Sequence, residues 1–243
     1  MHRDFTDKKV VITGGSRGLG RALAFELGKR GAHIAIVGRD PRALDATRQE
    51  LRDQKIDGQT IVGDLGVAAD ATAIAAQAQA RLDGVDILIH NASSLGPLPM
   101  PHLGDLATED FERVLQVNLL GPHRLTRALG GNMILRGGGT VLCISSDAAV
   151  SAYPGWGAYS AAKVALDHMS RIWAEECADS GLRFLVVDPG EMDTQMHADA
   201  LPDADPATLT SPADVARRIA SLLAVDTTPS GSRLQASDIE LRS

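Results

Sequence analysis

Cysteine is scarce in this chain, which has two, Cys143 and Cys177. They sit in an apolar run and a helical run, with no C-x-x-C spacing and no histidine at metal-ligand spacing. A disulfide framework and a cysteine-based zinc site are therefore excluded, no metal is expected, and both read as buried thiols of a reducing compartment. Basic charge is also short: 24 Lys and Arg face 31 Asp and Glu, for a net charge of −7. Nucleic-acid binding needs a basic face that neutralises phosphates, so no nucleic-acid partner is expected. No apolar run reaches the roughly 18 residues of a membrane span, and little chain precedes the first apolar run at Lys8-Lys9-Val10-Val11-Ile12. Neither a membrane span nor a signal peptide is expected, and the reading is cytoplasmic. There is no Ser/Gly-rich linker and no internal repeat, so one domain should cover residues 1–243.

What is present is a rhythm. Apolar residues make up 44% and charged residues 23%, and short β-branched runs alternate with longer amphipathic segments, as in a parallel sheet with crossover helices. Strands read at Val10 to Ile12, Ile34 to Val37, Thr60 to Val62, Val85 to Ile89, Thr140 to Ile144 and Arg183 to Val187. Their nearly continuous apolar character suits strands covered on both faces. Helices fit the stretch carrying Leu19, Ala22, Leu23 and Leu27, then Pro41 to Gln54, Val67 to Leu82, Thr108 to Leu135, Gly155 to Cys177 and Pro212 to Ala224. The longest loops, 93–106 and 190–211, both follow strands. Ligands of open α/β sheets bind at the carboxyl ends of strands, so these loops should wall a pocket.

Thr13-Gly14-Gly15-Ser16-Arg17-Gly18-Leu19-Gly20 joins the first strand to the first helix. A dinucleotide pyrophosphate can meet free backbone N–H groups and the positive end of the helix dipole there. Cofactor choice turns on the end of the second strand, where an acid would accept the ribose hydroxyl of NAD and an arginine accommodates the 2′-phosphate of NADP. The strand ends Val37-Gly38-Arg39-Asp40, and Arg17 projects toward the same corner. NADPH is the expected cofactor, with Asp40 beside Arg39 as the competing signal. Further on, Tyr159 and Lys163 stand at i and i+4 of a helical stretch and share a face. A phenol titrates near pH ~10, and a nearby cation can lower that by roughly 1–3 units, toward the range useful for proton transfer. As an isolated pair, Y-x-x-x-K is structural more often than not.

The spacing Gly14, Gly18, Gly20 differs from G-x-G-x-x-G and resembles the T-G-x-x-x-G-x-G of the short-chain dehydrogenase/reductase family. The resemblance implies a Rossmann-like doubly wound parallel α/β sheet of about seven strands, in the order 3-2-1-4-5-6-7 with helices on both faces, and one domain for cofactor and substrate. It implies that Gly14, Ser16, Arg17, Gly18, Leu19, Gly20 and Arg39 hold NADPH. Asp64-Leu65 would contact the adenine, and Asn91-Ala92 would match the family's N-A-G, with Ser93 replacing its glycine and His90 structural. Ser146, thirteen residues before Tyr159, would donate a hydrogen bond to the substrate carbonyl while Ser145 faces away. Asn118 would hold a water linked to Lys163. Lys163, besides lowering the pKa of Tyr159, would grip the nicotinamide ribose with it. Pro189-Gly190 matches the P-G segment, and Thr194 the residue on the nicotinamide carboxamide.

The implied activity is NADPH-dependent reduction of a small ketone or aldehyde. A non-catalytic NADP(H)-binding sensor, an alcohol dehydrogenase and a 3-oxoacyl thioester reductase are the alternatives. From Phe184 to Ala216 there is no Lys or Arg, while Asp188, Glu191, Asp193, Asp199, Asp203, Asp205 and Asp214 accumulate. Such a wall should repel anionic substrates and favour a neutral or cationic one lined by Met192, Met196 and Leu201, with His197 an exposed loop residue. The tail, Ser230 to Ile239, also departs from the last strand followed by V-D-G-G that many relatives use in tetramer contacts, which argues against a tetramer. A homodimer through the helices carrying Asn118 and Tyr159 is the expected assembly.

Overall fold

In the computed structural model, which describes residues 4–241, the apolar runs become seven parallel strands. These are β1 (Lys9–Thr13), β2 (His33–Gly38), β3 (Gly58–Val62), β4 (Ile87–His90), β5 (Gly139–Ile144), β6 (Leu182–Asp188) and β7 (Arg233–Gln235). Their order across the sheet is β3-β2-β1-β4-β5-β6-β7, the doubly wound Rossmann-like arrangement with its order reversal between β1 and β4. Successive side chains of a strand point to opposite faces, which divides the core in two. Val10, Ile12, Ile34, Ile36, Leu185 and Val187 pack under α1 (Gly18–Lys29) and α8 (Pro212–Leu223). Val11, Val37, Ile61, Leu88, Val141 and Phe184 pack under α3 (Ala68–Leu82) and α5 (Gly121–Leu135). The remaining helices are α2 (Pro41–Asp53), α4 (Thr108–Leu115), α6 (Gly157–Glu176) and α7 (Gln195–Ala200). No helix among the described residues is long and apolar enough to cross a membrane.

Three features of the fold matter for the site. The single helix expected over 108–135 is broken by a π-helical stretch, Gln116–Leu120, in which the Gly121 N–H reaches back five residues to the Gln116 carbonyl. Pro122 causes this: it has no N–H to give the Asn118 carbonyl, so the ladder slips by one residue where the functional asparagine was expected. Next, the tail that departs from the relatives' pattern still supplies the expected seventh strand. β7 pairs with β6 through Val186↔Arg233, Val187↔Leu234 and Asp188↔Gln235, and it carries Arg233 to the carboxyl edge of the sheet. Last, the loop 190–211 is partly structured, with α7 inside it.

Candidate active site

The glycine loop is built for close approach. Gly14 has φ +67, which suits glycine, and its N–H donates to the Val37 carbonyl at 2.8 Å. At Gly20 a Cβ would stand 2.3 Å from the Gly14 carbonyl oxygen, so no larger residue fits. No side chain caps α1, Arg17 being its N-cap, and its first turn holds no acid. The helix end therefore faces the cleft with its donors and dipole available to an anion.

Asn91 braces this loop, its Nδ2 donating to the Thr13 and Gly14 carbonyls at 2.9 and 3.2 Å. The N–H groups of Asn91 and Ala92 donate to Thr13 Oγ1 at 3.0 and 3.1 Å. Ser16 is tied to α2 by a bond from Thr47 Oγ1 to its carbonyl. Leu19 and Leu65 are buried in the two cores. Asp64 spends one oxygen on the Gly66 N–H at 2.8 Å and brings the other to 3.9 Å from Arg39. The Arg39 side chain is 70% exposed and Arg17 is exposed too. Asp40, the competing signal, is consumed locally: it caps α2, accepting from the N–H groups of Arg42 and Ala43 at 2.9 and 3.3 Å.

At the carboxyl edge, Ser145 and Ser146 directly follow β5. The Ser146 hydroxyl accepts from the Ala148 N–H at 3.1 Å and donates to Asp147 Oδ1 at 2.9 Å. Tyr159 and Lys163, both buried, rise from the first turns of α6, with the Lys163 ammonium 5.4 Å from the centre of the Tyr159 ring. The ammonium donates to the Ile144 carbonyl at 2.7 Å. Burial pulls the Lys163 pKa down from 10.5 to about 8, against the opposing pull of Asp167 and Asp188. Burial pushes the Tyr159 phenol up to about 12; hydroxyl bonds from Ser146 and Ser93 pull it down, and Asp147 and Asp188 push it up. This corrects the sequence expectation that Lys163 sets a lowered tyrosine pKa: in the protein alone, desolvation wins.

Asn118 is buried within the π-helical stretch. Its side chain is spent on the neighbouring loop, accepting from the Ser94 N–H at 2.8 Å and from Ser93 Oγ at 3.3 Å, and donating to the Ser94 carbonyl at 2.8 Å. Thr194 caps α7, accepting from the His197 N–H at 3.2 Å. A Cβ on Gly18 would meet its methyl at 3.5 Å, so the P-G segment and the glycine loop adjoin. Gly190 has φ +72 and open space where a Cβ would be.

These groups border a cleft of about 250 Å³ that includes Ser146, Asp147, Tyr159, Pro189, Gly190 and Thr194. Ser145 adjoins the cleft as well, but it is 2% exposed and its Oγ is buried without a hydrogen-bond partner. His197, expected to be exposed, also lines the cleft; its side chain is 13% exposed and both ring nitrogens lack a hydrogen-bond partner. The reason is α7, which turns that side of the loop inward. His90 is structural as expected, bonded to Thr126 Oγ1 at 2.7 Å and held near pKa 3 by burial. Both cysteines are free and buried, and no group of three or more potential metal ligands occurs among the described residues.

One participant escaped the sequence reading. Arg233, delivered by β7, donates to Asp167 Oδ2 at 2.9 Å, to Asp188 Oδ2 at 3.1 Å and to the Ser146 carbonyl at 2.9 Å. It ties α6, β6 and the end of β5 together directly behind the two hydroxyls. A lone arginine between serines in a short tail gives no pattern that would reveal this.

A match to the short chain dehydrogenase family spans residues 8–205. Bovine (Bos taurus) dehydrogenase/reductase SDR family member 4 is 33% identical over 189 residues, 77% of this chain and 67% of that protein. The chloroplastic NADPH-dependent aldehyde reductase-like protein of Arabidopsis thaliana is 30% identical over 202 residues, 78% of this chain and 74% of that one. Among solved structures, a Shigella flexneri short chain dehydrogenase complexed with NADP superimposes with a TM-score of 0.90 at 26% identity, covering 98% of this chain and 100% of the other.

Proposed function

The chain belongs to the short chain dehydrogenase family, and we propose that within it the protein is an NADPH-dependent reductase of small ketones or aldehydes. One observation carries this: two hydroxyls, of Ser146 and a protonated Tyr159, border one cleft with a buried lysine behind the phenol. NADPH fits the residues present. The uncapped α1, the Gly14–Gly20 loop and the open face at Gly190 suit a pyrophosphate-linked ligand. Arg39 and Arg17 suit a 2′-phosphate, and Asp40 is occupied in capping α2. The Arabidopsis relative is named for NADPH, and the Shigella structure was solved with NADP.

When bound, the cofactor would supply a hydride to the carbonyl carbon. The rest falls to the chain's own groups. Ser146 turns its hydroxyl from Asp147 to the substrate oxygen and fixes it. Tyr159 gives the same oxygen a proton, so carbonyl, hydride and proton balance as the alcohol. Lys163 faces the phenol as it gains negative charge. Purified protein offered NADPH or NADH and a panel of ketones, aldehydes and thioesters, followed by loss of nicotinamide absorbance, tests the proposal. Turnover with NADPH preferred supports it; no turnover of any carbonyl despite tight NADPH binding would make the protein a sensor.

The assembly is proposed as a homodimer through α5 and α6. Leu135, Val164 and Ile172 on these helices are 87%, 49% and 46% exposed, apolar surface that a partner would cover. Light scattering that returns a monomer would refute it.

A further inference from the structure

Aromatic residues are few in this chain, four Phe, two Tyr and two Trp, yet both tyrosines and one tryptophan border the cleft. Trp156 stands between Tyr153 and Tyr159. Its ring centre is 6.3 Å from that of Tyr153 and 5.6 Å from that of Tyr159, with interplanar angles of 63° and 74°. Rings at such angles form a corner, so a compact group inside it can meet more than one π-face.

The charged carboxylates that line the cleft are matched by no lining cation, the Lys163 ammonium standing behind the Tyr159 ring, 5.4 Å from its centre. Asp147 and Glu191 line the cleft, and no Lys or Arg does among the described residues. The Tyr153 hydroxyl donates to Asp147 Oδ2 at 2.8 Å, which anchors the ring and makes its face more electron-rich. Aromatic walls alone would suit any apolar compound, and rim acids alone would simply be solvated. Together they match the requirement for holding an ammonium group, whose attraction to π-faces and carboxylates survives partial desolvation.

We propose that the cleft takes a carbonyl compound bearing a quaternary or protonated ammonium group, with Trp156 and Tyr153 holding the cation and Asp147 and Glu191 supplying the counter-charge. This rests on the reductase reading for the carbonyl end only. The Trp156 and Tyr159 rings are 5.6 Å apart, so the cation lies a few bonds from the reacting carbon. A cleft of about 250 Å³ is at the small end for ligand pockets, which suits a short chain between the two.

The test uses a methyl ketone carrying a trimethylammonium group three methylenes from the carbonyl, and its isostere with tert-butyl in that position. Binding to the protein without cofactor is measured by calorimetry, and turnover with NADPH separately. The charged ketone should bind at least about tenfold more tightly, and the ratio should fall toward one in Trp156→Leu and in Tyr153→Leu. Tyr153 is 44% exposed, so its replacement leaves the core intact if the tryptophan variant fails to fold. Equal or tighter binding of the tert-butyl compound overturns the proposal, as does a ratio unmoved by Tyr153→Leu. Turnover of both ketones with equal affinities would leave the reductase standing and remove the cation site. Selective binding without turnover would do the reverse.

Discussion

Replacing Arg233 by methionine keeps much of the stem and removes the guanidinium, leaving Asp167 and Asp188, whose side chains are 3% and 4% exposed, without the cation that hydrogen-bonds them. Orphaning a buried charge costs about 3–5 kcal/mol. Because the Arg233 side chain is itself 17% exposed, water screens part of each pair, and the loss should fall near the lower end, about 3 kcal/mol. The Ser146 carbonyl loses its bond at the same time, freeing the end of β5. A shift of about 1 Å in a catalytic group can lower turnover by roughly 10²-fold. Urea unfolding followed by tryptophan fluorescence gives the first quantity and steady-state kinetics the second. Asp188→Asn in the same background removes one orphan, so the double variant should be more stable than the two single losses predict, with a coupling of about 1–3 kcal/mol. A loss under about 1 kcal/mol, turnover within about threefold of the parent and simple additivity with Asp188→Asn would together refute the reasoning.

Tyr159→Phe removes only the phenolic oxygen, and should leave cofactor affinity nearly intact while turnover falls at least about 10²-fold, as for a lost general acid; activity within about threefold would sink that role. Arg39→Asp exchanges a phosphate partner for a hydroxyl acceptor. NADPH affinity should drop by roughly 1.5–3 kcal/mol and preference should move toward NADH, with an unmoved NADPH dissociation constant as the contrary result. Lys163 carries a pH signature: its pKa is about 8 folded against 10.5 ordinarily, so the unfolded chain binds more protons between those values and stability rises with pH across them. The cost of the buried ammonium, roughly 3 kcal/mol, is present in full below about pH 8. Lys163→Met should therefore unfold at higher temperature than the parent at pH 7 and lose that advantage by about pH 10; a lower melting temperature at pH 7 would contradict this.

The sequence reading succeeded where local geometry alone decides. Two residues four apart on a helix share a face whatever surrounds them, so Tyr159 and Lys163 were legible. A glycine loop directly after a buried apolar run was equally so, and the strand order came with the family resemblance. It failed where the deciding fact is tertiary. β7 is three residues long and pairs on one side only, too short for an apolar pattern to mark it, so Arg233 went unread. The apolar period runs unbroken through 116–120, and only Pro122 hinted that the helix would slip. His197 looked exposed because nothing in the order of residues says that α7 turns it inward. The tyrosine pKa was misread for a related reason. The attraction of Lys163 can be inferred from spacing, but burial, the larger effect, cannot.

The raised pKa of the phenol bears on how the site would work. With Tyr159 near 12 and Lys163 near 8, the pair at pH 7 is a neutral phenol facing an ammonium. This is the state required of an acid toward a carbonyl oxygen, and a phenol already ionised at rest would have no proton to give. The ammonium 5.4 Å from the ring has only a cation–π attraction to the neutral phenol. It stabilises more strongly the charge that appears as the proton leaves, and an interaction stronger in the transition state than in the ground state is what accelerates the step. Asp167 and Asp188 keep the lysine charged against its burial, and Arg233 keeps those two carboxylates in place. The short strand β7 is thus one end of a charge relay in the electrostatic sense, from arginine to carboxylates to lysine to phenol. Substitutions along it should alter proton donation in proportion to how far they uncouple Lys163 from its carboxylates.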